Sequence, residues 1–180
     1  SPSPEQNIVL THGPQDSVVP RALGDVISDL NRIVLDEMET EHYFTVILAI
    51  ADMETGVVNL CQAGHPHPLV RRKNGQIEQD GPGGLPVGLF PEAEFDEFQI
   101  KLNEGDQLIL ASDGVTECPN SQDETLGEDG FEKIVCGLNG VKGANLLETL
   151  VWKLSAYAND APFPDDVSAV LYEYAPTKGI

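Results

Sequence analysis

The sequence predicts an α+β fold in which packed antiparallel sheets are flanked by helices. Two observations carry this prediction. Short apolar or alternating stretches, typical of strands, lie in the middle of the chain, whereas apolar residues with helical spacing lie towards both ends. The chain has 180 residues, 41% of them hydrophobic, which is the length of one domain and enough apolar side chains to fill its core.

The N-terminal part of the chain predicts a polar segment followed by a helix. Residues 1–15 are polar and rich in proline, and we expect a linker or a truncated edge there. Asp16 or Ser17 can cap a helix that runs to about Met38, with Pro20 tolerated in its first turn. Helical spacing predicts one buried face, made of Val19, Leu23, Val26, Leu30, Ile33 and Val34, and an exposed face with Asp25, Asp29, Arg32 and Asp36.

The central region predicts a series of strands. Apolar or alternating runs bounded by turn residues place them at 43–51, 57–62, 69–72, 76–78, 98–102, 107–111 and 167–174. Asn74-Gly75 predicts a hairpin with a primed turn. Two helices are predicted at 128–138 and 144–158, the second with a buried stripe of Leu147, Leu150, Val151 and Leu154, to which Trp152 is a less certain addition. The predicted domain covers 16–176, and 177–180 forms a tail.

The chain is strongly acidic, with a formal net charge of −20. This acidity argues against nucleic acid and against an anionic membrane as partners, and it favours basic partners or cations. A solvated acidic surface explains most of these carboxylates. The sequence shows no membrane span and no signal peptide. Cys61, Cys118 and Cys136 lack metal-binding spacing, so we expect reduced thiols in a cytoplasmic protein.

One candidate functional segment is the stretch from Gln107 to Thr116. The apolar run 108–111 predicts a buried strand that leads directly into Asp113. A carboxylate at the end of such a strand is held rigidly, and Gly114 lets the backbone turn beneath it. This arrangement suits a ligand for a hard cation. The same residues also fit a plain strand that ends in a turn.

A second candidate segment lies near the C-terminus, where Asp165 and Asp166 open the strand predicted at 167–174. If this strand lies beside the one that ends at Asp113, the carboxylates come together. Like charges so close repel unless one is protonated or a cation lies between them. The alternative is that the two aspartates cap a solvated turn.

These two segments are part of a longer series of motifs. The series runs Phe44-Thr45, Ala63-Gly-His-Pro66, Gly84-Leu-Pro-Val-Gly88, Gly105-Asp106, Ser112-Asp-Gly-Val-Thr-Glu117, Gly127 and Asp165-Asp-Val-Ser168. In this order the motifs resemble those of the metal-dependent serine/threonine protein phosphatases of the PPM class, in the bacterial SpoIIE/RsbU-like branch. The resemblance covers roughly 43–174 and implies a PPM-phosphatase-like sandwich of two antiparallel sheets flanked by helices.

The resemblance implies roles for particular residues. Asp113 and Asp165 match metal ligands of the family and would be the catalytic residues, with Gly114 and Asp166 as secondary candidates for the metal site. The family holds two Mn²⁺ or Mg²⁺ ions, and a water between them attacks the substrate phosphorus. Because a cation lowers the pKa of its bound water, no covalent nucleophile from the protein is needed.

One departure from the family pattern concerns an early Gly-Asp motif whose aspartate bridges both metals. Residues 1–16 contain no such motif. Gly24-Asp25 is present, but it lies within the predicted first helix, and we interpret it as part of a helix face. The chain is therefore expected either to be a fragment that lacks its first strands or to belong to a degenerate branch. If the aspartate is absent, two-metal hydrolysis is not expected, and one weaker metal site at Asp113 and Asp165, or none, is expected instead.

Four other sequence features are interpreted as structural. His65 and His67 have strand-like spacing, but prolines interleave them and the family uses this turn structurally. Pro82 argues against a phosphate cradle at 81–84. The acidic run 122–129 lacks EF-hand spacing and predicts a mobile surface loop. The basic cluster 71–73 is interpreted as an exposed hairpin arm, with phosphate contact as the alternative.

Two functions follow from the resemblance. The first is a protein phosphatase domain that acts on a phosphorylated regulatory protein, typically an anti-sigma-factor antagonist. The second is a catalytically degenerate output domain of a response regulator, which binds a sigma factor or an anti-sigma-factor antagonist as an adaptor. An upstream receiver or sensor domain and a homodimer are compatible with both. A metal-stabilised scaffold is a third interpretation, favoured by the acidic balance alone.

Overall fold

The computed structural model describes residues 8–14, 17–37 and 42–176. The chain forms two compact units that alternate along the sequence. The first comprises the described part of Ser1–Ile50, together with Asn59–His65 and Pro82–Gln99. The second comprises Ala51–Val58, Pro66–Gly81 and the described part of Ile100–Ile180.

Thirteen elements are found in the described residues, and they confirm the predicted α+β class with antiparallel sheets. The elements are β1 Leu10–His12, β2 Val18–Pro20, α1 Leu23–Glu37, β3 Val46–Ala51, β4 Val57–Ala63, β5 Leu69–Arg71, β6 Ile77–Gln79, β7 Glu97–Lys101, β8 Gln107–Ala111, α2 Asp113–Thr116, α3 Gly127–Gly137, α4 Ala144–Tyr157 and β9 Ala169–Glu173. The strand orders in the three sheets are β1-β2, β3-β4-β7 and β6-β5-β8-β9. Of the described helices, none is both long and apolar enough to cross a membrane.

The first unit has a core between α1 and the strands. The start of α1 lies close to the backbone of Phe95. This approach depends on Gly24, because a Cβ there would lie 2.5 Å from the carbonyl oxygen of Phe95. Gly24 and Asp25 both lie in the first turn of α1, and Asp25 is exposed, as the helix-face interpretation predicts. The buried cluster consists of Leu23, Ile27, Cys61, Ala63, Val87 and Phe95.

The predicted start of the first helix is wrong. Val18–Pro20 forms β2, which pairs antiparallel with β1 inside the segment expected to be a linker. Two β-branched valines favour an extended backbone, and a proline disfavours the helical region in the residue before it. Val19 therefore does not belong to the helix face, and Ile33, predicted to be buried, is 39% exposed. Asp16 and Met38, the predicted ends, lie outside the described residues.

The second unit is built on the four-stranded sheet, with α3 and α4 packed in the same core. Its largest buried side chains include Phe131 of α3 and Leu150 of α4. Full burial of a side chain of this size contributes about 1.5–3 kcal/mol. The cluster consists of Leu69, Ile109, Ala111, Val115, Phe131, Val135, Leu138, Leu146, Leu150 and Leu154.

The buried stripe of α4 differs from the prediction by one position. Leu146 is fully buried, whereas Val151 is 46% exposed and Trp152 is 63% exposed. Leu150 and Leu154 are buried as predicted, and Leu147 packs against the core. The i, i+4 series that starts at residue 146 therefore faces the core, which turns residues 151 and 152 towards solvent.

The hairpin of β5 and β6 is confirmed, but its turn is not a primed one. Gly75 has φ of 91°, whereas Asn74 is not at positive φ, as a type I′ turn would require. Gly75 N–H donates to Arg72 O at 2.8 Å, and Arg72 N–H donates to Gln76 O at 2.8 Å. The loop is therefore a longer turn with a glycine in the left-handed conformation, and Asn74 Oδ1 stabilises it by accepting from Gln76 N–H.

Candidate functional site

The candidate site lies where β8 ends and β9 begins, within the second unit. Ala111, the last residue of β8, is paired with Ala169, the first residue of β9. One residue further, Ser112 N–H donates to Ser168 O at 2.9 Å. The chain segments that carry Asp113 and Asp165 are therefore adjacent, which confirms the predicted side-by-side strands, although β9 begins at Ala169 rather than at Val167.

Asp113 is fixed as the first residue of the one-turn helix α2. Its carbonyl oxygen accepts from Glu117 N–H at 2.7 Å and from the Thr116 hydroxyl at 3.1 Å. Its carboxylate oxygen Oδ1 accepts from Gly114 N–H at 3.0 Å. Asp113 is half-buried, while Val115 in the same turn is fully buried in the core. The core thus holds the backbone of Asp113 in place, while the residue as a whole stays partly exposed.

Gly114 is required by a close approach of two backbones. A Cβ at this position would lie 2.3 Å from the carbonyl oxygen of Asp166 and 3.6 Å from the carbonyl carbon of Asp165. The segment with the two aspartates therefore passes directly over Gly114. The sequence pattern predicts a glycine that turns the chain, whereas in the structure the glycine lets the two segments touch.

The hydroxyl of Ser112 joins the same two segments, a role that the sequence does not reveal. It donates to Asp166 O at 3.1 Å and accepts from Ser168 N–H at 3.0 Å. We call this pair of bonds the Ser112 clasp. In the sequence, Ser112 begins the first motif and Ser168 ends the second. Only the pairing of β8 with β9 shows that these two serines are in contact.

Asp165 and Asp166 are both exposed, and Asp165 Oδ1 accepts from Asp166 N–H at 2.7 Å. The four predicted metal-site residues, Asp113, Gly114, Asp165 and Asp166, therefore lie on adjoining segments. Carboxylate oxygens are the ligands that hard divalent cations prefer. The sequences 107–132 and 154–176 contain no Lys or Arg that could neutralise these carboxylates.

The donor set fits one hard cation that keeps water ligands. The part of the chain that the structure describes contains no cluster of three or more His, Cys, Asp or Glu arranged to hold a metal ion. Mg²⁺ is commonly held by one or two carboxylates while it retains several waters. Two carboxylates on adjoining segments match that mode, whereas a closed cage of protein ligands does not form from these residues.

Comparison with known proteins identifies the family. The sequence matches the family Stage II sporulation protein E (SpoIIE) over residues 9–175. The chain belongs to the SpoIIE family. The phosphoserine phosphatase RsbU of Bacillus subtilis (strain 168) is 28% identical over 111 residues, which are 61% of this chain and 33% of that protein. The chain thus spans about a third of the length of this relative.

Solved structures agree with the fold. The phosphatase domain of the cell fate determinant SpoIIE from Bacillus subtilis, in a Mn-presoaked crystal, has a TM-score of 0.66 at 21% identity and covers 88% of this chain and 68% of that chain. The SiaA-PP2C domain of Pseudomonas aeruginosa has a TM-score of 0.74 at 12% identity and covers 84% and 61%. At these identities the likeness establishes the fold, and it confirms the PPM-type fold implied by the motifs.

The early Gly-Asp motif of the resemblance has no counterpart in the described residues. The chain contains Gly-Asp at 24–25 and at 105–106. Asp25 is exposed on α1, and Asp106 forms an ion pair with Arg72. The helix position of the first pair and the ion pair of the second agree with structural roles for both.

His67 has a structural role in the second unit. Its backbone N–H donates to Glu128 Oε1 at 2.9 Å, and its ring Nδ1 lies 2.8 Å from the same oxygen. Gln79 Nε2 donates to the other oxygen of Glu128 at 2.7 Å. Burial on its own raises the pKa of Glu128, but these hydrogen bonds outweigh it and hold the pKa below its ordinary value. Glu128 thus ties the His-Pro turn to the first turn of α3.

The interpretation of the basic cluster as an exposed arm is wrong for two of its three residues. Arg71 is only 4% exposed, and its guanidinium donates to Gln107 Oε1 and to the backbone oxygens of Leu138 and Val141. It therefore caps the C-terminal end of α3. Arg72 pairs with Glu78 and Asp106. Lys73 alone is exposed, as predicted.

Asp106 is the centre of a buried network at the start of β8. It is 2% exposed and accepts from Asn103 N–H at 2.9 Å, Lys73 N–H at 2.8 Å and Arg72 Nη1 at 3.0 Å. Burial raises the pKa of Asp106, but the backbone donors and the guanidinium outweigh it and lower the pKa below its ordinary value of 3.8.

The glycine-rich loop 81–84 and the acidic run 122–129 both make hydrogen bonds within the protein. Gly83 N–H donates to Gln62 Oε1 at 3.2 Å, and a Cβ at Gly84 would lie 2.8 Å from Gln62 O, so this loop is packed on protein backbone. In the acidic loop, Asn120 Oδ1 accepts from the N–H groups of Gln122 and Glu124.

Proposed function

We propose that this chain is a metal-dependent protein serine/threonine phosphatase domain. It hydrolyses phosphoserine or phosphothreonine of a regulatory protein in sigma-factor control. The observation that carries the proposal is the contact between the segments of Asp113 and Asp165 at the end of β8. Membership of the SpoIIE family and similarity to the phosphoserine phosphatase RsbU support the reaction class.

In this proposal Asp113 and Asp165 hold a Mn²⁺ or Mg²⁺ ion, with Gly114 and Asp166 as neighbours that shape the site. The bound cation supplies charge neutralisation for the phosphoryl group and a water of lowered pKa. The protein supplies position: α2 fixes the backbone of Asp113, and Gly114 allows the second segment to approach. Since 107–132 and 154–176 carry no Lys or Arg, a phosphate monoester cannot be attracted by side chains of these segments.

The substrate in this proposal is a phosphorylated regulatory protein, of the type of an anti-sigma-factor antagonist, in the cytoplasm. The net charge of −20 favours a partner with a basic surface around the phosphorylated residue and disfavours nucleic acid and anionic membranes. An upstream receiver or sensor domain would regulate the activity, and a homodimer is compatible with this arrangement.

One observation favours a second candidate function. The described residues contain no group of three or more His, Cys, Asp or Glu that could hold a metal ion. A domain with an incomplete metal site would serve as a catalytically degenerate output domain of a response regulator, binding a sigma factor or an anti-sigma-factor antagonist as an adaptor.

Hydrolysis of a phosphoserine peptide separates the two functions. The rate is measured with and without Mn²⁺ for the chain and for the protein in its natural full length, beside Asp113→Asn and the control Asp25→Asn, an exposed aspartate of α1. Turnover that needs Mn²⁺, disappears in Asp113→Asn and persists in Asp25→Asn is the expected result. No turnover from folded full-length protein would overturn the phosphatase proposal in favour of the adaptor.

A further inference from the structure

Ser112 stands between the two acidic segments of the candidate site without being a ligand candidate itself. Its hydroxyl donates to Asp166 O and accepts from Ser168 N–H, so both of its hydrogen-bonding functions are used. Its backbone N–H donates to Ser168 O. The residue directly before Asp113 therefore binds the stretch directly after Asp165 through backbone and side chain.

The segment 165–166 lies beyond the end of the β8–β9 ladder, which stops at the pair Ala111 and Ala169. Phe163 and Val167 pack against the core on either side of it. Between these two anchors, the Ser112 hydroxyl provides the hydrogen bond that fixes the backbone of Asp166 to the β8 side. Gly114 limits how close this backbone can come, and the clasp limits how far it can move away.

We propose that Ser112 is a positioning residue that sets the place of the Asp165 carboxylate relative to Asp113. The inference rests on the proposed metal-dependent function, since it states how this chain prepares two ligands on different segments for one cation. Groups that orient metal ligands through hydrogen bonds influence metal affinity strongly, and their removal typically costs 10–100-fold. An alanine at position 112 leaves the β8–β9 ladder intact and removes both bonds of the clasp.

The test uses Ser112→Ala, the conservative Ser112→Thr, which keeps a hydroxyl, and Ser28→Ala as a matched control. The Ser28 hydroxyl donates to Gly24 O within α1, so its loss removes a serine hydrogen bond outside the candidate site. Two quantities are measured: hydrogen exchange of the Ser168 amide by NMR without metal, and Mn²⁺ affinity by calorimetric titration.

Ser112→Ala should speed exchange of the Ser168 amide about tenfold and weaken Mn²⁺ binding about tenfold. Ser112→Thr should stay within about twofold of the parent in both measurements, and Ser28→Ala should equal the parent. Parental exchange in Ser112→Ala would overturn the clasp. Faster exchange with parental Mn²⁺ affinity would overturn the positioning role and leave a structural hydrogen bond.

The exchange measurement also separates this inference from the proposed function. If the parent binds no Mn²⁺, the metal site of the proposed function fails. The Ser168 amide then still decides whether Ser112 holds the two segments together, because exchange is recorded without metal.

Discussion

The two ends of β8 carry one aspartate each, and their surroundings differ sharply. At the start of the strand, Asp106 is 2% exposed and is satisfied by Arg72 and by the backbone N–H groups of Lys73 and Asn103. At the far end, Asp113 is half-buried beside the exposed Asp165 and Asp166, in segments without any Lys or Arg.

This difference separates a carboxylate that the protein itself compensates from one that we propose as a ligand for a cation. At Asp106 the protein itself supplies the compensating cation and donors, so the network closes without an external partner. At Asp113 the fold brings the backbones of two acidic segments together, and the sequences 107–132 and 154–176 supply no Lys or Arg. In the proposed function, a cation from solution stabilises the negative charge of these segments.

The largest loss of unfolding free energy is expected from removing the Asp106 carboxylate at the start of β8. Asp106→Ala removes the acceptor of two backbone N–H groups and one of the two carboxylates that pair with Arg72, and this loss should cost about 3 kcal/mol. Urea unfolding followed by circular dichroism measures the loss of unfolding free energy. Asp25→Asn, at an exposed position of α1, is the control and should change stability by less than about 0.5 kcal/mol. A loss below about 1 kcal/mol for Asp106→Ala would contradict the structural role.

The neighbouring basic cluster allows a second comparison, between the buried Arg71 and the exposed Lys73. Arg71→Met removes the donors that cap the backbone oxygens of Leu138 and Val141 and should lower the unfolding free energy by about 2–3 kcal/mol. Lys73→Met, two residues further along the hairpin and exposed, should be within about 0.5 kcal/mol of the parent. Equal losses in the two variants would mean that Arg71 is not the buried anchor described here.

At the far end of β8, Gly114→Ala tests the contact between the segment of Asp113 and the segment of Asp165 and Asp166. The added Cβ would lie 2.3 Å from Asp166 O, so the backbone must shift, at a cost of about 1–3 kcal/mol. Thermal unfolding should show this loss, and Mn²⁺ binding should weaken as Asp165 moves away from Asp113. Gly137→Ala is the matched control, because a Cβ there meets nothing within 4 Å. An unperturbed Gly114→Ala variant would rule out the close approach.

The smallest expected effect is the contribution of Asp106, at the start of β8, to the pH dependence of the unfolding free energy. Because the pKa of Asp106 is lower in the folded than in the unfolded state, its contribution is complete above about pH 4 and is lost as the pH falls through the folded pKa. The parent should therefore lose more unfolding free energy between pH 5 and pH 3 than Asp106→Asn does. Parallel pH profiles for the two proteins would show that Asp106 contributes nothing through its ionised form.

Local patterns in the sequence predicted much of the fold and the positions of the candidate ligands. The apolar run before Asp113 and the alternation after Asp166 are local signals, so both strand ends could be recognised. The predicted helix start failed because two valines before Pro20 pair with β1, a partner that helical spacing does not reveal. Arg71 and Ser112 were not recognised because their acceptors lie 67 and 54 residues away along the chain.

Titration with Mn²⁺, followed by calorimetry, shows whether Asp113 and Asp165 together hold a divalent cation, as we propose. The parent should bind Mn²⁺, while Asp113→Asn and Asp165→Asn should each weaken binding by about fivefold or more, since each removes one ligand charge. Asp25→Asn should match the parent. Equal affinity in the parent and both site variants, or no binding by the parent, would contradict the claim.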